Sequence, residues 1–218
     1  VAPYIGEAMR QNSGLRVFVA AGYYDMATPF FGADTVLITS ASSKTALGLA
    51  YCLAQRKGRK TIGVTSQANK AFVESVGLYT DVMTYDQISA LKTPGGAVMV
   101  DMAGGATTLT TIHNALRDDL KYSCRVGLTQ WNDLSPVKGL PGPKPIFFFA
   151  PDRIKIRIQD WGPADFIART SKMSAGFVTN ARRWMELESQ SGPDAITATF
   201  KKLLQGDTRP EAGIICIP

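Results

Sequence analysis

The chain has 218 residues, 45% of them hydrophobic, and carries 24 Lys plus Arg against 18 Asp plus Glu, a formal net charge of +6. That apolar content suffices for one buried core, and a positive excess this modest, without interleaved aromatic and basic residues, argues against a nucleic-acid surface. The longest apolar runs, such as PIFFFAP, fall far short of the roughly 20 residues a bilayer span needs, and no secretory leader pattern opens the chain, so a soluble, cytoplasmic protein with no membrane partner is expected.

From residue 36 onward, short runs rich in Val, Ile and Thr alternate with longer helical stretches, the pattern of consecutive βαβ units. Strands are predicted at 36–40, 61–66, 81–85, 97–102, 123–129 and 146–150, and helices at about 44–56, 68–77 and 107–120, with a short one near 86–91. The strands read as continuous apolar runs, which suits a parallel sheet covered on both faces. The predicted fold class is therefore α/β, a doubly wound parallel sheet followed by C-terminal helices. In such sheets ligands sit beyond the carboxyl ends of the strands, so Ser40, Ser66, Tyr85, Asp101 and Thr129 are expected along one edge.

After the rigid LPGPKP turn at 140–145, Pro163 is suited to a first helical turn. Phe166, Met173, Phe177, Ala181, Trp184 and Leu187 then outline an apolar face of one long helix, broken at Gly192-Pro193. Another helix is predicted over 194–205 and a last strand over 213–217. Phe147, Phe148 and Phe149 are expected in the core. Cys52, Cys124 and Cys216 are too far apart for a close-spaced metal site and lie among apolar neighbours, so buried thiols and no metal are expected. His113, the only histidine, leaves a Ser-His-Asp triad poorly supported.

The stretch VLITSASSKTALGLAYCLAQR, residues 36–56, reads as strand, small-residue turn and helix. A helix N-terminus attracts phosphate through its unpaired N–H groups and its dipole. Here the turn is Ser40-Ala41-Ser42-Ser43-Lys44-Thr45-Ala46, with small hydroxylated residues in place of glycine and a lysine beside them. Ser43-Lys44-Thr45 imitates the end of an NTP-binding P-loop, but the loop before the lysine is too short to cradle two phosphates. A dinucleotide is the better match. The second predicted strand ends Thr65-Ser66-Gln67, followed by Asn69 and Lys70, with no acid to take a ribose 2′-hydroxyl, so NADP(H) fits better than NAD(H).

These residues, with VMVDMAGG, RVGLTQW, LPGPKPIFFFAPDRI, DWGPADF and KKLLQGDTRPEAGIICIP, make the chain from about Phe30 to its end resemble the coenzyme domain of the medium-chain dehydrogenase/reductase superfamily. The nearest match within it is a branch described as a domain of unknown function and related to zinc-independent quinone oxidoreductases. The resemblance implies a Rossmann domain holding NADP(H) for hydride transfer. It places Ser40, Ala41, Ser42, Ser43, Lys44 and Thr45 around the pyrophosphate, and Ser66, Lys70 and Tyr85 around the 2′-phosphate. Asp101, Met102, Ala103 and Gly104 then fall near the adenosine ribose, and Gly127, Leu128 and Thr129 near the nicotinamide. In the turn, the superfamily's glycines are replaced by Ser40, Ser43, Lys44 and Ala46. Relatives commonly form a homodimer through the last strand of the sheet, which would involve Ile146 to Ala150.

Residues 1–33 resemble instead a fragment of a serine carboxypeptidase, with Asp25 in the place of the triad acid. The expected organisation is thus a short segment at 1–33, a dinucleotide-binding core at 34–150 and an extension at 151–218. Medium-chain enzymes carry their substrate on a barrel domain ahead of the Rossmann part, and only about 33 residues precede it here. Two functions follow: an NADP(H)-dependent oxidoreductase lacking that barrel, with no catalytic residue or substrate assigned, or a non-catalytic module that binds a nucleotide or a partner.

Overall fold

A computed structural model describes residues 33–56, 58–102, 105–126 and 139–217. These residues divide into two compact units, one running to Ala175 and the other starting at Gly176.

The first unit opens with β1 (Thr35–Ile38), α1 (Lys44–Ala54) and β2 (Lys60–Thr65). A 3₁₀ turn over Gln67–Asn69 leads into α2 (Lys70–Val76), which ends where Gly77 takes a left-handed φ of 69° and lets the chain turn into β3 (Asp81–Thr84). A second 3₁₀ turn (Tyr85–Ala90) precedes β4 (Ala97–Asp101), α3 (Ala106–Leu116) and β5 (Leu120–Arg125). Beyond residue 139 come the two-residue β6 (Ile146–Phe147), α4 (Ala150–Trp161) and α5 (Pro163–Ala181).

Among the described residues, six parallel strands form one sheet in the order β3-β2-β1-β4-β5-β6. This is the doubly wound, Rossmann-like arrangement, and it follows from right-handed crossovers that carry the chain first one way and then the other from β1. The central strands β1 and β4 are buried at every position, which is why they read as unbroken apolar runs. On one face Leu37, Ile62, Val64 and Met99 pack with Leu109, Ile112 and Leu116 of α3, with Ile88 of the second 3₁₀ turn and with Leu91 just after it. Alternation along β1 sends Val36 and Ile38, both fully buried, to the opposite face.

The second unit holds the end of α5, β7 (Glu186–Ser191), α6 (Pro193–Gln205) and β8 (Ala212–Ile217). Its two strands are parallel and paired from Glu186↔Ala212 to Ser191↔Ile217, with α6 as the crossover. Arg209 binds Glu186, Glu188 and Glu211 across this pair.

Several sequence expectations are corrected. The helix expected to 120 ends at Leu116, because Arg117 adopts a left-handed φ of 46° and the following residues start β5 three positions earlier than expected. The long C-terminal helix expected from Pro163 is α5, but it ends at Ala181 and leaves Trp184 and Leu187 outside it; α4 before it, closed by Gly162 at φ 79°, is an additional helix. Leu187 belongs to a strand, ELESQS, whose single apolar residue carries no period-two signal and whose backbone is satisfied only by pairing with β8. Phe148 is in the core at 9% exposure, but Phe147 and Phe149 are more than half exposed, since among the described residues the two-residue β6 ends the sheet. Cys52 and Cys124 are buried as expected, with burial raising each thiol to about 12, whereas Cys216 near the end of β8 is exposed. Asp25 and the rest of residues 1–32 lie outside the described residues.

Candidate functional site

The carboxyl ends of β1, β2, β3 and β4 share one edge of the sheet, and the strand order reverses between β1 and β4, which opens a crevice there. Ser40 follows β1, Ser66 follows β2, Tyr85 follows β3 and Asp101 ends β4, so these four predicted residues do lie along that edge. Thr129, with Gly127, Leu128, Ala103 and Gly104, lies outside the described residues.

The turn from β1 into α1 is held on all sides. Ser40 sits at φ 51°, the left-handed region that glycine enters freely and a residue with a Cβ enters only under strain. Its N–H donates to the Tyr85 hydroxyl at 3.0 Å. The Ala41 N–H donates to the Val64 carbonyl at 3.0 Å, and the Tyr79 hydroxyl donates to the Ala41 carbonyl at 3.0 Å. This close approach of turn to β2 depends on Gly63, where a Cβ would stand 2.9 Å from the Ala41 Cβ and 3.0 Å from the Tyr79 ring. The Asn69 amide donates to the Ser42 hydroxyl at 3.0 Å and ties the start of α2 to the same turn.

Ser43 is the N-cap of α1, its hydroxyl accepting from the Ala46 N–H at 3.2 Å. Lys44 and Thr45 occupy the first helical turn, half-buried, where backbone N–H groups have no partner within the helix and the dipole is positive. No acidic side chain occupies that first turn. The arrangement can accept an anion against backbone and hydroxyl donors.

At the β1–β4 seam, Thr39 donates its hydroxyl proton to the Asp101 carboxylate at 2.7 Å and accepts from the Met102 N–H at 2.9 Å. Asp101 is fully buried, with the Arg125 guanidinium 4.0 Å from its other oxygen. The carboxylate is thus committed to the seam, and Met102 is buried beside it, so neither is open to a ribose from where it stands. At the β2 end Ser66 is exposed, and the Lys70 ammonium is paired with Glu74 one turn along α2.

Burial raises the Tyr85 phenol above its ordinary value, an effect the Ser40 N–H partly offsets by stabilising the phenolate, so the group stays protonated at neutral pH. Burial raises Tyr79 further. Thr39, Gly63, Tyr79 and Glu74 were not singled out from the sequence. Thr39 and Gly63 are polar and flexible interruptions of strands, a signal available in principle, whereas nothing local marks Tyr79. Among the described residues no group of three or more His, Cys, Asp or Glu could hold a metal ion, and no helix is long and apolar enough to cross a membrane.

Strand order and the crevice at the switch point together define a Rossmann-like α/β fold. Residues 13–209 match the family described as Protein of unknown function (DUF2855), and the chain belongs to that family. The match takes in residues 13–33 of the segment that resembles a carboxypeptidase, and that resemblance is not borne out. No curated protein is close enough in sequence to count as a relative.

Solved structures are similar in fold. The YhdH oxidoreductase from Salmonella enterica in complex with NADP superposes with a TM-score of 0.56 at 12% identity, over 91% of this chain and 60% of that one. CurA from Vibrio vulnificus in complex with NADPH gives 0.58 at 14% identity, over 92% and 61%. A mutant form of enoyl thioester reductase from Candida tropicalis gives 0.59 at 11% identity, over 91% and 59%. The chain therefore spans about three fifths of the length of these proteins.

Proposed function

We propose that this chain is the NADP(H)-binding part of an oxidoreductase of the medium-chain type, with residues 34–150 as the binding core and 151–218 as its extension. The observation that carries the proposal is Ser40: ahead of the α1 N-terminus the turn enters the left-handed backbone region that glycine adopts freely, although the turn contains no glycine. Ser42, Ser43, Lys44 and Thr45 would meet the pyrophosphate, with Ser40 and Ala41 shaping the approach. Exposed Ser66 and the Lys70 ammonium would meet the 2′-phosphate, and the absence of an acid at the end of β2 favours NADP(H) over NAD(H). Ala103, Gly104, Gly127, Leu128 and Thr129 belong to this proposal by the family resemblance alone.

When bound, the cofactor supplies the hydride chemistry, and these residues bind and orient it. No catalytic group of this chain is assigned. The substrate side is a further proposal: a small molecule reduced on a barrel domain of the kind such enzymes carry. A cytoplasmic location and a homodimer are proposed with it, the latter supported by the exposed edge of β6, where Ile146 is 47% and Phe147 57% exposed.

Calorimetric titration with NADPH and NADH tests the cofactor. NADPH is expected to bind in preference to NADH, and Lys70→Ala is expected to weaken NADPH about tenfold while leaving NADH unchanged, the loss of one charge-assisted contact. Absence of binding by both nucleotides sinks the reading.

A further inference from the structure

The sequence places Tyr85 at the end of β3, and the family resemblance assigns it to the cofactor's 2′-phosphate. Its hydroxyl does something else here. It accepts the Ser40 N–H at 3.0 Å, across 45 residues of chain, at the one position of the turn that carries backbone strain.

Two other contacts show what this bond is for. The next residue, Ala41, is fixed to β2 by its N–H to Val64 and by the Tyr79 hydroxyl on its carbonyl. Gly63 permits this close approach, since a Cβ there would stand 2.9 Å from the Ala41 methyl. Ala41 is therefore a fixed point, which holds the peptide after Ser40, and the φ of 51° at Ser40 sets the angle between that peptide and the one before it. The N–H of the preceding peptide is the one Tyr85 holds, so the two sides of the strained angle are each tied down. The phenolic oxygen accepts this N–H in either protonation state, so the bond does not depend on pH.

We infer that Tyr85 is a positioning residue, holding Ser40 in the left-handed conformation and so doing for this glycine-free turn what glycine's conformational freedom does elsewhere, instead of binding the 2′-phosphate. The inference rests on the dinucleotide reading of the site for its functional consequence, but the link between Tyr85 and Ser40 stands on geometry alone. A 2′-phosphate contact would discriminate NADPH from NADH. A turn-holding contact acts through the backbone that meets the pyrophosphate, which both nucleotides share.

The test is a double-mutant cycle of Tyr85→Phe and Ser40→Gly, read by urea unfolding and by calorimetric titration with each nucleotide. Tyr85→Phe is expected to weaken NADPH and NADH by the same factor, roughly 3- to 10-fold, the effect of one hydrogen bond. Ser40→Gly, which removes the strain, is expected to restore most of that loss in the double variant, and the unfolding energies of the two substitutions are expected to be non-additive. A loss confined to NADPH, or two substitutions that add independently in both measurements, overturns the inference. Should the unsubstituted protein bind neither nucleotide, the dinucleotide reading fails, and the unfolding cycle decides the inference by itself: coupling supports the Tyr85–Ser40 device and additivity overturns it.

Discussion

His113 shows how one buried side chain reports on the fold. It is fully buried on α3, with Nδ1 2.8 Å from the Pro141 carbonyl and Nε2 2.9 Å from the Ser123 hydroxyl. A carbonyl only accepts, so Nδ1 carries the proton and Nε2 of the neutral ring accepts from Ser123. Burial lowers the pKa, with the Pro141 carbonyl acting weakly the other way. The unfolded chain then takes up a proton first as pH falls, so the stabilisation from the neutral ring is complete above about pH 6.5 and is lost as pH drops below it, by at most about 1.4 kcal/mol per pH unit. Urea unfolding at pH 7.5, 6.5 and 5.5 should show this decline, and His113→Asn should lower stability at neutral pH and remove most of the decline. From the sequence, His113 was legible as a residue outside any triad. Its partners were not, because Ser123 and Pro141 are 10 and 28 residues away and reach it only through sheet and loop packing.

At the scale of elements, β2 matters as much as the turn it supports. Gly63 lies in a strand with an ordinary backbone, so its requirement is space and not conformation. Gly63→Ala is expected to cost about 1–3 kcal/mol of stability by overpacking against Ala41 and Tyr79. It should also weaken both dinucleotides together, a result that titration beside the unfolding curve would check. The elements around this site were readable because apolar runs and helix starts are local signals: β1, α1, β2, β3 and β4 fall within about two residues of their expected bounds. A boundary failed where a backbone conformation decided it, at Arg117. The strand β7 failed for a different reason, since its polar residues form a strand only by pairing with β8.

For the molecule as a whole, the first unit's sheet ends, among the described residues, on exposed apolar side chains. Ile146 and Phe147 stand on an edge strand that offers unpaired backbone groups as well as apolar surface, the combination that favours strand pairing between chains. Sedimentation is expected to give a dimer for the unsubstituted protein and a monomer for Phe147→Lys, with the far-ultraviolet spectrum unchanged. A monomer in both would remove the β6 edge as the dimer interface.

The parallel α/β class, the position of the turn between β1 and α1 and the lack of an acid after β2 were determined by the sequence itself, because each depends on residue type and local spacing. The tertiary structure alone decided that Ser40 takes a glycine-like conformation, that Asp101 is spent on Thr39 and not exposed to a ligand, and that Tyr85 reaches the turn. Those contacts join residues 45 to 62 positions apart, and a hydrogen bond across such a span exists only once the sheet has set the strand order that brings its two ends together.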